Sequence, residues 1–121
     1  MNMRAWMDAW RDAPVKKSMP VLSFPSISLL GITVKELIND SRLQAKGMKL
    51  IADRVDSAAS VSMMDLSVEA EAFGSTIRVS DDEVPTVIGA IVTTEQQARD
   101  LAVPPVGAGR TGKYIEALRL A

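Results

Sequence analysis

The chain has 121 residues, 47% of them apolar and 24% charged, with a net charge of −1. This is an ordinary globular balance for one domain or part of one, and it leaves no basic footprint for nucleic acid or an anionic membrane. Cysteine and histidine are both absent. That excludes disulfides, thiol chemistry, Ser-His or Cys-His nucleophiles and, in practice, a zinc site built by this chain alone.

Met3, Trp6, Met7 and Trp10 recur at helical spacing and predict a short amphipathic helix that stops by Pro14. Trp6 and Trp10 stand one turn apart. They are expected to anchor that helix on the body of the domain, a platform for a flat ligand being the alternative. Asp8, Arg11 and Asp12 interrupt anything resembling a signal peptide, and no stretch reaches transmembrane length, so a cytoplasmic protein is expected. Lys16 to Gly31, with Pro20, Pro25 and several serines, reads as irregular loop. Thr33 and Glu36 form a capping-box pattern for a helix through Ile38. Asp40 or Ser41 caps a longer helix to about Val55, with Arg42, Lys46, Lys49 and Asp53 on one solvated face.

Ala58 to Leu66 reads as a buried strand, since Val61, Met63, Met64 and Leu66 are apolar and no helical polar face is available. Val68 to Phe73 fits a short helix ended by Gly74. Thr76 to Val79 and Thr86 to Val92 are β-branched runs around the turn residues Ser80, Asp81 and Asp82, with Pro85 marking an edge or bend. Thr93 with Gln96 opens a helix to about Ala102, and a last helix runs from Thr111 towards Leu120.

Gly107 to Lys113 satisfies G-x-G-x-x-G and most of a Walker A pattern. Backbone amides at a helix N-terminus can cradle phosphate. Here, however, Tyr114 replaces the magnesium-binding hydroxyl, and Pro104-Pro105 cannot supply the ladder donors of a preceding strand. A loop entering a helix is the reading to prefer over a nucleotide site. Glu69 and Glu71 lie two apart, so they point in different directions on a helix. They are read as first-turn acids complementing its dipole rather than as an acid/base pair. Asp65 ends the apolar run just before a helix. In α/β barrels that position faces the active site, while its structural role elsewhere is to cap the helix.

The run MMDLSVEAEAFGSTIRVSDDEVPTV, the preceding DSRLQAKGMKLIADRV and the later TTEQQARDLAVPPVGAGR resemble the uroporphyrinogen decarboxylase superfamily. Within it, they look most like the branch of cobalamin-dependent methyltransferases that act with small corrinoid proteins. The resemblance spans about Pro20 to Leu118. It implies an α/β fold, the N-terminal fragment of a TIM barrel with N-terminal helices (residues 1–57), then one barrel strand, a β-hairpin excursion and further helices (residues 58–121). The whole of 1–121 would form a single incomplete domain, since a full barrel takes about 250 residues.

By the same resemblance, Asp65 occupies the place of the aspartate that holds the pyrrole nitrogens in decarboxylases, which makes it the candidate catalytic residue. The decarboxylase loop that bears arginines for the porphyrinogen carboxylates is replaced here by LSFPSISLLG, Leu22 to Gly31, without arginine. A poly-anionic tetrapyrrole would lack its countercharge, which favours the methyltransferase branch. That branch implies zinc, held by His and Cys, and a corrinoid. Neither metal ligand exists in this chain, so the segment is expected to be inactive alone, to carry no cofactor of its own, and to associate with a corrinoid protein, the remaining barrel half or itself. A small interaction module and the Gly107–Lys113 nucleotide site are the competing readings.

Overall fold

In a computed structural model describing residues 2–121, the regular structure is seven helices and one small sheet among the described residues. Helix α1 spans Met3–Asp12, with the Asn2 side chain accepting from the Ala5 amide. Helix α2, Ser26–Leu30, lies inside the stretch expected to be loop. Its prolines conceal it: Pro25 sits just ahead of the first turn, where a missing N–H costs nothing, and Gly31 ends it in the left-handed region at φ 67°. Helix α3, Val34–Asn39, begins with the expected capping box. The Glu36 amide donates to Thr33 Oγ1 at 3.1 Å and the Thr33 amide to Glu36 Oε2 at 2.8 Å. Helix α4, Ser41–Arg54, is capped by Asp40, which accepts from the amides of Arg42 and Leu43. Its outer face carries Arg42, Lys46, Lys49 and Asp53 in solvent, as the spacing requires.

The predicted strand over Ala58 to Leu66 does not form. Residues 60–65 have no regular secondary structure, and the sheet contains only β1 (Thr76–Arg78) and β2 (Thr86–Ile88). Yet the side chains alternate as a strand's would: Met63 and Asp65 are buried while Met64 and Leu66 are exposed. Period-2 burial places side chains, but a strand also needs a neighbouring backbone for its N–H and C=O groups, and among the described residues this stretch bonds another segment's backbone only through the Ala58 amide to the Ser18 carbonyl at 2.8 Å. The sequence pattern was thus a guide to side-chain direction and not to pairing.

Helix α5 is Val68–Ala72, and Gly74 follows at φ 99°, the left-handed position expected of it. Strands β1 and β2 pair antiparallel, Thr76 with Ile88 and Arg78 with Thr86. The second strand stops four residues short of the predicted Val92. Helix α6 is Glu95–Arg99, and its capping box uses Thr94 and Gln97, one residue later than expected. Helix α7 is Thr111–Leu120.

Two apolar clusters hold these parts together. Val34, Leu37, Ile38 and Met63 form the first, flanked by Phe24, Ile27, Leu30, Leu43 and Tyr114. Ala45, Met48 and Ala117 form the second, where α4 meets α7. Gly47 lets α2 approach α4: a Cβ there would lie 2.5 Å from Ser26 Oγ. Neither tryptophan belongs to a cluster. The rings of Trp6 and Trp10 meet edge to face at 6.1 Å, and α1 buries none of its residues, so the expected anchoring on the domain body is not seen.

Candidate functional site

Asp65 sits where residues 60–65 turn into α5. Its Oδ1 accepts from the Ser67 amide at 2.9 Å and from Ser67 Oγ at 2.6 Å, which closes the turn leading into the helix. Its Oδ2 accepts from Arg110 Nη1 at 2.5 Å and from the Tyr114 hydroxyl at 2.8 Å. Arg110 continues the network, Nε donating to Glu71 Oε2 at 2.5 Å and Nη2 to Ser67 Oγ at 3.1 Å. The arrangement follows from helical spacing. Ser67 and Glu71 lie four apart at the start of α5, Arg110 and Tyr114 four apart at the start of α7, so each pair presents one face to the other.

The side chain of Asp65 is 0% exposed and that of Arg110 8%, whereas Glu71 is about one-third exposed. Burial pushes the Asp65 carboxyl up, but donors from Ser67, Arg110 and Tyr114 outweigh it and hold the group below the ordinary aspartate range. Burial alone would lower Arg110, yet the carboxylates of Asp65 and Glu71 raise it further. Tyr114 is raised by burial and by donating its proton to Asp65. The carboxylate is therefore ionised at neutral pH with four donors upon it. A group so saturated is a weak base, and a ligand reaching Oδ2 must displace Arg110 or Tyr114.

Beside this network lies an open pocket of about 280 Å³, walled by Val61, Met63, Met64, Leu66 and Tyr114, with Asp65 and Glu69 as its acids. Asp65 thus fixes the turn, and its carboxylate, wholly buried, lies behind the pocket wall rather than in the cleft. Glu69 and Glu71 do occupy the first turn of α5. Glu71 has in addition the partner Arg110, which the sequence reading missed. Thirty-nine residues separate the two in the chain, and Arg110 was masked by the phosphate-like pattern around it. One usable signal was present, an arginine four residues ahead of a tyrosine.

The glycines of that pattern build a turn. Gly107 and Gly109 have φ of 84° and 55°, and a Cβ on Gly112 would lie 2.9 Å from the Gly107 carbonyl oxygen. No strand precedes them: residues 101–105 have no regular secondary structure. Of the loop's two cations, Arg110 turns inward to Asp65 and Lys113 donates to the Asn39 carbonyl at 2.8 Å. Both features go against the nucleotide reading.

Among the described residues, no group of three His, Cys, Asp or Glu side chains could hold a metal. The residues present therefore do not fit a zinc ion, and no chemical step is assigned to one. No helix is long and apolar enough to cross a membrane.

The uroporphyrinogen decarboxylase (URO-D) family model matches residues 21–121, and the chain belongs to that family. Neither the curated proteins nor the solved structures gave a match. Helix α1 lies outside the matched residues, while the Asp65 network lies wholly within them.

Proposed function

We propose that the chain is the N-terminal, pocket-forming part of a corrinoid-dependent methyltransferase of this family, a segment of a TIM barrel that is inactive by itself. In the complete enzyme a methyl group would pass from methylcorrinoid to a thiol or similar acceptor. The observation that carries this reading is a charge imbalance. Asp65 is ionised and fixed behind the wall of a pocket, but Leu22 to Gly31 offers no arginine to a tetrapyrrole's carboxylates. The only arginine near the pocket, Arg110, is already neutralised by Asp65 and Glu71. Around an anionic, largely apolar pocket a decarboxylase substrate would be repelled.

Zinc ligands, and the rest of the barrel, would come from outside these residues. Asp65, buried and paired with Arg110, would hold the pocket wall in place. Met64 and Leu66, the latter 82% exposed, would meet the adjoining barrel strand or a corrinoid protein, and self-association through the same row is expected of the isolated chain. The reading places the protein in the cytoplasm.

The test is to incubate the purified chain with uroporphyrinogen and, separately, with methylcobalamin and a thiol. Neither reaction should proceed. An immobilised copy should then retain a corrinoid protein from native extract, identified by its cobalamin absorbance. Coproporphyrinogen formation by the chain alone, or retention of no corrinoid protein, overturns the proposal.

A further inference from the structure

Helix α1 is the one element of ten residues or more that contributes nothing to either core cluster. At about 100° per residue, Trp6, Trp10, Met3 and Met7 fall within an arc of about 100°. Met3 and Met7 are 52% and 62% exposed. Arg4 and Arg11 fall beyond the Met7 edge of that arc, and Asp8 and Asp12 fall opposite it; Arg11 reaches both acids in solvent-exposed ion pairs of 2.7 and 2.9 Å, contacts weak enough to exchange for a phosphate. The segment from Asn2 to Lys17 carries four basic and two acidic side chains, although the whole chain is at −1. The net charge of the chain, which argued against an anionic surface, thus conceals a local excess of the other sign, of which Lys17 is paired with Asp56.

The geometry points to α1 as an interfacial helix that lays its Trp–Met face into an anionic phospholipid surface, with Arg4 and Arg11 at headgroup depth. Strong amphipathicity, low mean hydropathy, tryptophans on the apolar face and cations at its border are the properties of helices that lie in that plane. Acids set opposite the apolar face stay in water. A second copy of the helix is a poorer occupant. Antiparallel pairing brings like edges together, arginine beside arginine, and parallel pairing sets the arginine edge against Ala5 and Ala9; neither brings Asp8 or Asp12 opposite a cation. The inference does not depend on the methyl-transfer reading, because α1 lies outside the family match.

Trp6 and Trp10 are the chain's only tryptophans, so fluorescence reports on this face alone. The full chain is to be mixed with vesicles of equal parts phosphatidylglycerol and phosphatidylcholine, and followed by tryptophan emission and by flotation. A blue shift with co-flotation is expected, weakened by salt. R4Q with R11Q should lower the apparent affinity about fivefold for each arginine removed, and Met7→Asp should abolish flotation. D8N with D12N should tighten binding to the anionic vesicles and leave binding to pure phosphatidylcholine unchanged, whereas a gain from misfolding would appear on both. Unshifted emission without flotation overturns the inference. So does equal binding to pure phosphatidylcholine, or a shift that grows with protein concentration and ignores added vesicles, the result expected of a second copy.

Discussion

Helices α4 and α6 begin in the same way and end up in different situations. Asp40 caps α4 through two amides, and Thr94 with Gln97 caps α6 reciprocally. Each has an i,i+4 ion pair on its surface, Lys49 with Asp53 and Arg99 with Glu95. Yet α4 buries Gln44, Ala45, Gly47 and Met48, and α6 buries nothing. The same holds for the hairpin beside α6: all of β2 is exposed, and only Pro85 is buried among residues 76–100. Caps and surface pairs determine where a helix starts and contribute about 1 kcal/mol or less each. Burial determines whether the element is held. The region of α2, α3, α4 and α7 is therefore expected to unfold as a unit, and residues 76–100 to open first.

The largest effect is expected in the packed region, at the charge network. Arg110→Met leaves the Asp65 carboxylate buried without its cation and should cost about 3–5 kcal/mol in urea-induced unfolding. Asp65→Asn in the same background should return part of the loss, and an additive double variant would show that the two residues do not interact. The network also sets an acid limit. A carboxyl held below its ordinary value stabilises the fold above the unfolded aspartate pKa, about 3.9, and that contribution is lost as pH falls through the lowered folded value. Stability of the native chain should thus decline on acidification more steeply than that of Asp65→Asn; parallel curves would show that Asp65 is not held in this way.

A smaller effect is expected where α2 meets α4. Gly47→Ala forces a methyl towards Ser26 Oγ, which is tied to the Ser23 carbonyl at 2.6 Å. Overpacking of about 1–3 kcal/mol should exceed the gain of about 1 kcal/mol in helix propensity, so the thermal midpoint falls. Adding Ser26→Gly should restore it, and a variant more stable than the parent would show that the two helices can part. The smallest global effect belongs to α6. Thr94→Ala removes the cap, about 1 kcal/mol, and should speed amide exchange in α6 while leaving the global midpoint unchanged. A lowered midpoint would show that residues 76–100 support the core after all.

Most helices were legible in the sequence because caps and 3.6-residue periodicity act over a few residues. Thr33 with Glu36, Asp40 and Gly74 each do in the structure what their local chemistry required. Helix α2 was hidden because its prolines and serines resemble a loop, and its start is decided by how Ser26 packs against Gly47 of α4. The strand expected over Ala58 to Leu66 failed for the converse reason: its alternation was real, but pairing depends on a second backbone that local sequence does not specify.

The candidate site divides along the same line. Asp65 could be singled out from the chain alone, since its position between an apolar run and a helix is a local fact. The Ser67 contact is a local turn, but the bonds from Arg110 and Tyr114, and the pairing of Arg110 with Glu71, were settled only by folding. Capping and periodicity join residues three or four apart, whereas the contacts of Arg110 and Tyr114 join residues 39 to 49 apart, and only the docking of α7 against α5 brings them within hydrogen-bond reach.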